Sequence, residues 1–556
     1  MVALAALLAY ANSLGNGFVW DDPVIIERQL VAFDGPAAVL APPRDIPQFS
    51  PDYYRPVTIA SYLLDRAVGG ERPFAFHLSV VIAHAATAAL LWALAAQLLG
   101  AAPGAAVGAL AAGLLFALHP IHTESVAWAA GRSDVLATGF LLAALVLLGG
   151  PTGARATTLS GAAALGALGA KEAGVALYPL LVLRDLLVAP LARPLGEWLR
   201  RYAGVAVAGV VYVLLRRHAL GEFVGTAPTV APVTRSPLEV LAAAAAYAGE
   251  LLWPWPLNAY FDRVPVSAFT IAAGVLFLAG AAAALRQWWR RGDGLPLFAF
   301  AWMSVTLVPS LAILWKIPDA PMAERYLYLP SAGFCLLIGA LAARGWAVAT
   351  SPVARRVAVA AAAVVLLAAG LATAVRNRVW HDDIALWEDT EAKSQLSGLA
   401  ARNLGAAYQK AGRAAEARAA FGRALERRND ARGLQTIHNN LGTLAMMEGD
   451  FPAAQRAYEQ ALAAAPDQPD TLFNLGLAIL HGGGSTPEAA RRALAPLERA
   501  RSANPHDADI EAGLGQVLLI LGERVRACDH LRQAERLRPS AHTAAGIRTL
   551  MKDCPE

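Results

Sequence analysis

Asp21 and Asp22 directly follow the first hydrophobic segment of this 556-residue chain. A carboxylate at a membrane face can take the proton from an incoming hydroxyl, or hold a divalent cation that bridges a lipid phosphate. Neighbouring residues do not normally point the same way, so at most one of the pair serves as a base. A solvated Asp-Asp-Pro turn is the bland alternative. Tyr53-Tyr54-Arg55-Pro56 precedes the next apolar run. The planar fork of Arg55 suits a phosphate, although the same residues also read as an aromatic anchor beside a snorkelling arginine.

The densest polar constellation is His119-Pro120-Ile121-His122-Thr123-Glu124, followed by Trp128, Arg132 and Asp134. Two histidines and a glutamate suggest a metal set, but the spacing is not H-E-x-x-H. A hydrogen-bonding or substrate-binding loop fits better. Pro120 cannot continue a helix, so this motif begins where an apolar span ends. Lys171-Glu172 lies between two apolar runs, where ionisable groups are costly and are either paired or functional. Adjacent side chains on a helix diverge, so each needs a partner of its own. Glu324-Arg325 opens a later apolar run and offers a second phosphate-binding arginine, or a second interface anchor.

These groups are embedded in a chain that is 56% hydrophobic with a mean hydropathy of +0.43, too apolar for an ordinary soluble enzyme. The net charge of +4 and pI near 9.0 do not indicate a nucleic-acid partner. The basic residues cluster between apolar segments, where they act as a topology signal, and no recognition motif accompanies them. Cys335, Cys528 and Cys554 are too few and too scattered for a disulfide framework or a zinc site. Cys335 reads as a packing residue inside an apolar run.

A membrane-crossing helix needs about 20 apolar residues. The segments 2–14, 74–99, 105–118, 134–150, 156–170, 173–189, 202–218, 268–285, 295–315, 326–345 and 354–375 predict an all-α, polytopic transmembrane bundle of about 11 spans. The opening residues lack a basic region and a cleavage site, and read as a shortened first span rather than a removable signal. Basic clusters at Arg184–Arg201 (with Arg193 and Arg200), Arg286/Arg290/Arg291, Arg344 and Arg355/Arg356 are assigned to the cytoplasm. That assignment puts 15–73, 119–133, the Lys171 turn, 219–237, 316–325 and everything after Arg376 outside. It closes only if 238–253 does not cross fully, and it leaves Arg216 and Arg217 outside against the rule. The loop 15–73, with Asp52 and Asp65, is far longer than an ordinary connection.

Past Arg376 the composition turns water-soluble, and Leu-Gly pairs recur at Leu404-Gly405, Leu441-Gly442, Leu475-Gly476 and Leu514-Gly515. Their spacing approximates the ~34-residue period of a tetratricopeptide repeat, in which small residues stand where the two helices of a unit touch. Tyr408, Ala417, Phe421 and Ala424 follow the first pair, and Ala454, Tyr458, Ala461 and Pro466 the second. The third unit carries five extra residues around Gly482-Gly483-Gly484 before Ala493, Leu497, Ala500 and Pro505 resume the register. Ala527, Leu531, Ala534 and Pro539 complete the fourth. The expected organisation is a membrane domain over 1–376, a connector over 377–394, a four-repeat α-solenoid over 395–545 and a tail over 546–556. Such a solenoid presents a concave groove suited to an acceptor polypeptide or partner protein.

Taken together, G-N-G-F-V-W-D-D (15–22), Y-R-P-V-T (54–58), F-H-L-S-V-V-I-A-H (76–84), F-A-L-H-P-I-H-T-E-S-V-A-W-A-A-G-R-S-D (116–134), K-E-A-G (171–174), E-R-Y-L-Y-L-P-S (324–331) and W-H-D-D-I-A-L-W (380–387) resemble the transmembrane and tetratricopeptide-repeat-containing O-mannosyltransferase family, within the C-type glycosyltransferases. The resemblance follows the family's order over nearly the whole chain. It implies a polyprenyl- or dolichyl-phosphate-linked sugar donor, mannose first among the candidates, and a Ser or Thr hydroxyl acceptor. Transferred to this chain, the catalytic acid is Asp21 or Asp22, with Asp22 preferred. Arg55 and Arg325 would hold the lipid phosphate, and His119, His122 and Glu124 would line the pocket. Tyr54, Arg132, Asp134, Lys171, Glu172 and Glu324 complete the candidate substrate-binding set, with a divalent cation compatible but not required. The first span is shorter than the family's, and 219–265 matches it less well. No G-x-x-x-x-G-K-[ST] nucleotide loop is present.

Two other classes compete with this reading. One is a non-catalytic membrane scaffold whose repeats recruit a complex. The other is a transporter, for which the paired broken helices are missing. The Ala- and Arg-rich composition reads as bacterial, which would make the outer side periplasmic.

Overall fold

In the computed structural model the described residues are 1–33, 35–42, 53–150, 153–188, 195–221, 235–312, 314, 320–537 and 541–554. Asp52, Arg193, Pro539 and parts of the loops 15–73, 219–237 and 316–325 lie outside them. Among the described residues the regular structure is helical, apart from one isolated bridge between Ser397 and Arg428. The chain divides into two compact units, Met1–Thr390 and Glu391–Glu556.

The first unit is built on Pro73–Leu99, which packs against Val2–Ala9, Ala105–Leu118 and Arg132–Gly149. Helices that are apolar on every face gain little from burial against lipid, so close backbone approach through small residues decides their contacts. Ala105–Leu118 meets Tyr328–Val348 in this way. A Cβ on Gly108 would stand 2.4 Å from the Gly339 carbonyl oxygen, and one on Gly339 would stand 2.6 Å from that of Gly108. Gly161 and Gly204 bring Ala154–Ala170 against Leu195–Leu220 by the same means.

Seven helices among the described residues are long and apolar enough to cross a membrane. An eighth is added if Ala105–Leu118 and Pro120–Ala127, bent by 47° at the His119-Pro120 break, form one span. Helices of this length and composition make the chain an integral membrane protein. The expected eleven differ for identifiable reasons. The opening segment gives only an eight-residue helix, Val2–Ala9. Lys171 takes an extended backbone (φ −158°, ψ 150°) and splits its region into Ala154–Ala170, of 17 residues, and Leu177–Leu187, of 11. The 238–253 segment, not counted among the eleven, forms a 16-residue helix, Pro237–Leu252, short of the ~20 residues a crossing needs. Its Ala243, Tyr247 and Leu251 pack with Ile121, Met322 and Leu327.

The second unit is a stack of helical hairpins: Leu399–Lys410 with Ala414–Leu425, Ala431–Met447 with Phe451–Ala464, Pro469–Gly482 with Pro487–Ala503, and Ala508–Ile520 with Arg524–Arg536. Each Leu-Gly glycine meets one large side chain of its partner helix. Gly405 faces Phe421, Gly442 faces Tyr458, Gly476 faces Leu497 and Gly515 faces Leu531. The partner lies sixteen residues downstream in three units and twenty-one in the third, which is the five-residue insertion expressed in packing. A Cβ at Gly442 would come within 2.6 Å of the Tyr458 ring. Gly442→Val is therefore expected to destabilise the arm by about 1–3 kcal/mol, read as a lowered thermal midpoint of the full chain. An unchanged midpoint would mean that the hairpin can spread.

Ala541–Leu550 runs past the expected solenoid boundary at 545, and its Ile547 packs on Leu531 and Ala534. The cysteine expectation also needs correcting. Cys528 and Cys554 are joined by a disulfide, which ties the last hairpin to the C-terminal turn, while Cys335 is free and buried.

Candidate functional site

The two acids after the first hydrophobic segment separate into two environments. Asp22 is fully buried. Its Oδ2 accepts the Val19 N–H at 3.1 Å and its Oδ1 the Ala130 N–H at 2.8 Å. Burial pushes its carboxyl up to about 8, against the pull of the two backbone N–H groups and of Arg132. Asp22 thus pins the loop that follows the first helix to the 129–131 turn. Asp21 is exposed. The surrounding protein raises its carboxyl above the ordinary range, and the nearby Arg325 guanidinium opposes that shift. Of the two acids, Asp21 carries the accessible carboxylate.

Arg325 is anchored on the fully buried Glu124, whose Oε2 accepts its backbone N–H at 2.7 Å and whose Oε1 accepts its Nη1. The guanidinium lies 5.0 Å from the Tyr326 ring centre and 5.7 Å from that of Trp128. The Lys171 ammonium is 5.9 Å from the same Tyr326 ring and donates to both oxygens of Asp134, at 2.7 and 2.6 Å. Burial lowers the Lys171 ammonium, with Asp134 holding against it. Arg55 forks onto Glu172, with Nη2 at 2.7 Å and Nε at 3.0 Å from Oε2. Burial pushes the Glu172 carboxyl up, but Arg55 outweighs it and holds the group below the usual range. Arg55, Lys171 and Arg325 all feel the charge of Asp134. Three cations therefore share one electrostatic neighbourhood with Asp21 at its edge. Fixed cations at such spacing suit a phosphate-bearing group.

The remaining candidates form the frame behind this face. Arg132 is 2% exposed and spends its donors internally, on Ala129 O at 3.2 Å, Asp65 Oδ2 at 2.5 Å and Phe76 O at 2.9 Å. His119 Nε2 meets the Leu251 carbonyl at 3.0 Å, and His122 Nε2 meets Ser331 Oγ at 2.7 Å. Both rings are buried, and His122 packs among Phe116, His84 and Tyr328. Glu324 is fully buried, accepts the Asn258 N–H and lies 3.7 Å from Arg376. Tyr54 is buried with its hydroxyl on the Leu40 carbonyl at 3.0 Å. Each of these side chains is engaged by neighbouring protein groups. Among the described residues no three His, Cys, Asp or Glu side chains gather to hold a metal ion.

Sequence reasoning missed Tyr326 and Arg216 as members of the site. Tyr326 stands in the quoted E-R-Y motif, and its position after Arg325 was the available signal. Arg216 comes within 3.9 Å of Glu172, which accounts for a basic residue on the side assigned as outer.

The fold and this charged face define a membrane protein with a tetratricopeptide arm, and comparison with known proteins agrees. A tetratricopeptide-repeat family profile matches residues 395–467. Protein O-mannosyl-transferase Tmtc3 of Drosophila melanogaster is 24% identical over 86% of this chain and 60% of its own length. TMTC3 of Mus musculus is 24% identical over 70% of this chain and 46% of its own. TMTC2 of Homo sapiens reaches 43% identity over 17% of this chain, 11% of its own length. The chain thus spans from about a tenth to 60% of the curated relatives it matches. Among solved structures, MamA aligns with a TM-score of 0.25 and 19% identity, covering 28% of this chain and 86% of its own. The chain is similar to these TMTC proteins over most of its length and carries a tetratricopeptide-repeat arm.

Proposed function

We propose that the chain is a membrane glycosyltransferase that moves a sugar, mannose in the first instance, from a polyprenyl-phosphate donor to a Ser or Thr hydroxyl. The observation that carries this reading is the accessible Asp21 carboxylate within the field of Arg325, beside Lys171 and Arg55. In the proposed step Asp21 takes the proton of the acceptor hydroxyl as its oxygen attacks the anomeric carbon. The bond from that carbon to the phosphate oxygen breaks, and the electron pair leaves with the lipid phosphate. Arg325, Lys171 and Arg55 stabilise the departing charge. One displacement of this kind inverts the anomeric centre. Because the donor carries its own phosphate leaving group, the chain needs no nucleotide site.

The Cys528–Cys554 disulfide supports an extracytoplasmic arm, since such bonds persist in oxidising compartments. That orientation agrees with the basic clusters and, in a bacterium, makes the compartment the periplasm. The repeats then present the acceptor polypeptide. The reading is tested with the purified full chain, a radiolabelled polyprenyl-phosphate mannose and a Ser/Thr peptide. Labelled peptide of inverted configuration supports it, whereas no transfer from any lipid-phosphate sugar to any hydroxyl would overturn it. Deleting 395–556 is expected to lower transfer to a folded protein acceptor about tenfold or more while sparing a short peptide, as the loss of a tethering contact would. Equal losses on both acceptors would remove the arm from acceptor binding.

A further inference from the structure

Trp20, the residue before Asp21, has φ +57°. A bulky side chain rarely adopts this left-handed backbone, which persists only where surrounding structure imposes it. The imposing structure comes from far along the chain. The Trp20 N–H donates to Asp383 Oδ1 at 2.8 Å. The Trp20 ring stacks on Trp128, with centres 5.1 Å apart and planes at 19°, and meets the edge of Trp387 at 5.1 Å. Trp128 in turn stacks on Trp380. Three residues earlier, the Gly17 N–H donates to the His381 carbonyl at 2.9 Å. Beside these contacts, Asn377 Nδ2 meets Asn12 Oδ1 at 2.8 Å, and Arg376 pairs with Asp389 at 2.6 Å. The W-H-D-D-I-A-L-W segment is therefore folded onto the G-N-G-F-V-W-D-D loop, within the same compact unit.

We propose that the segment following the last span is a positioning device for Asp21, with Asp383 and Trp387 holding Trp20 in the left-handed conformation that presents the carboxylate to the acceptor. The backbone turn at Trp20 sends Asp22 inward to its two N–H donors and leaves Asp21 outward. Without the Asp383 acceptor the turn relaxes, and the two acids lose their separate environments. The inference rests on the reading of Asp21 as the base, and its test separates the two.

The full chain is measured as wild type, Asp383→Ala and Asp383→Asn, with hydrogen exchange over residues 15–24 and with the polyprenyl-phosphate mannose assay. Asp383→Ala is expected to speed exchange in that loop and to lower kcat about 10- to 100-fold with the donor KM unchanged, as misplacement of a reacting group does. Asp383→Asn keeps an oxygen that accepts the Trp20 N–H, so both readouts should stay within about threefold of wild type. Unchanged exchange or unchanged kcat in Asp383→Ala would overturn the proposal, as would an Asp383→Asn protein as impaired as the alanine variant. Should Asp21→Asn retain transfer, the base assignment fails by itself, and the exchange measurement still decides what Asp383 does to the loop.

Discussion

Asp21→Asn is expected to lower kcat for transfer by about 10²- to 10⁴-fold, the usual contribution of a positioned general base. Donor binding should survive, because Arg325, Lys171 and Arg55, the cations proposed to hold the phosphate, are untouched. The fold should survive too, since Asp21 is exposed. Asp22→Asn should behave differently. One amide oxygen still accepts an N–H, but the new NH2 group faces the second backbone donor, leaving that N–H buried without an acceptor. The expected cost is about 1–3 kcal/mol of stability, with transfer reduced only as far as the loop loosens. Steady-state kinetics and thermal unfolding of both proteins separate the roles. A folded, inactive Asp22→Asn beside a fully active Asp21→Asn would reverse the assignment.

The second large effect concerns stability. Asp65→Ala leaves Arg132 charged and 2% exposed, with its carboxylate partner removed. Breaking a buried pair from one side typically costs about 3–5 kcal/mol. The damage should spread, because Arg132 also holds the Ala129 carbonyl and the Phe76 carbonyl, and Ala130 supplies one of the two N–H groups that fix Asp22. The double substitution Asp65→Leu, Arg132→Met removes both charges and should recover most of the loss, since a hydrophobic replacement of a buried pair is often close to neutral. Thermal unfolding in detergent reads both proteins. A single variant within about 1 kcal/mol of wild type, the range of an exposed pair, would show that water reaches the ion pair.

The arm was readable because its signals are local. A glycine and its aromatic partner sixteen residues on form one hairpin, so the contact between Gly405 and Phe421 is written within a single stretch of chain. The pairing logic at Lys171-Glu172 was also readable: the two side chains cannot share a partner, and they take Asp134 and Arg55. The identities of those partners were not readable, because they depend on which helices pack together. The difference in span count has a related reason. Hydropathy registers apolar residues, whereas the extended backbone at Lys171 shortens the helices on either side. The choice between Asp21 and Asp22 lay furthest from the sequence, since the turn that separates them is held by Asp383, more than 360 residues away. The Cys528–Cys554 bond likewise joins a helix interior to the C-terminal turn, which nothing in their spacing brings together.

The most direct test of the account is mass spectrometry of exported proteins from cells carrying the chain as wild type, as Asp21→Asn or as Asp22→Asn at equal abundance. The account predicts hexose on Ser and Thr residues in the wild type, its loss in Asp21→Asn and its partial retention in Asp22→Asn. Unchanged glycosylation in the Asp21→Asn cells would contradict it.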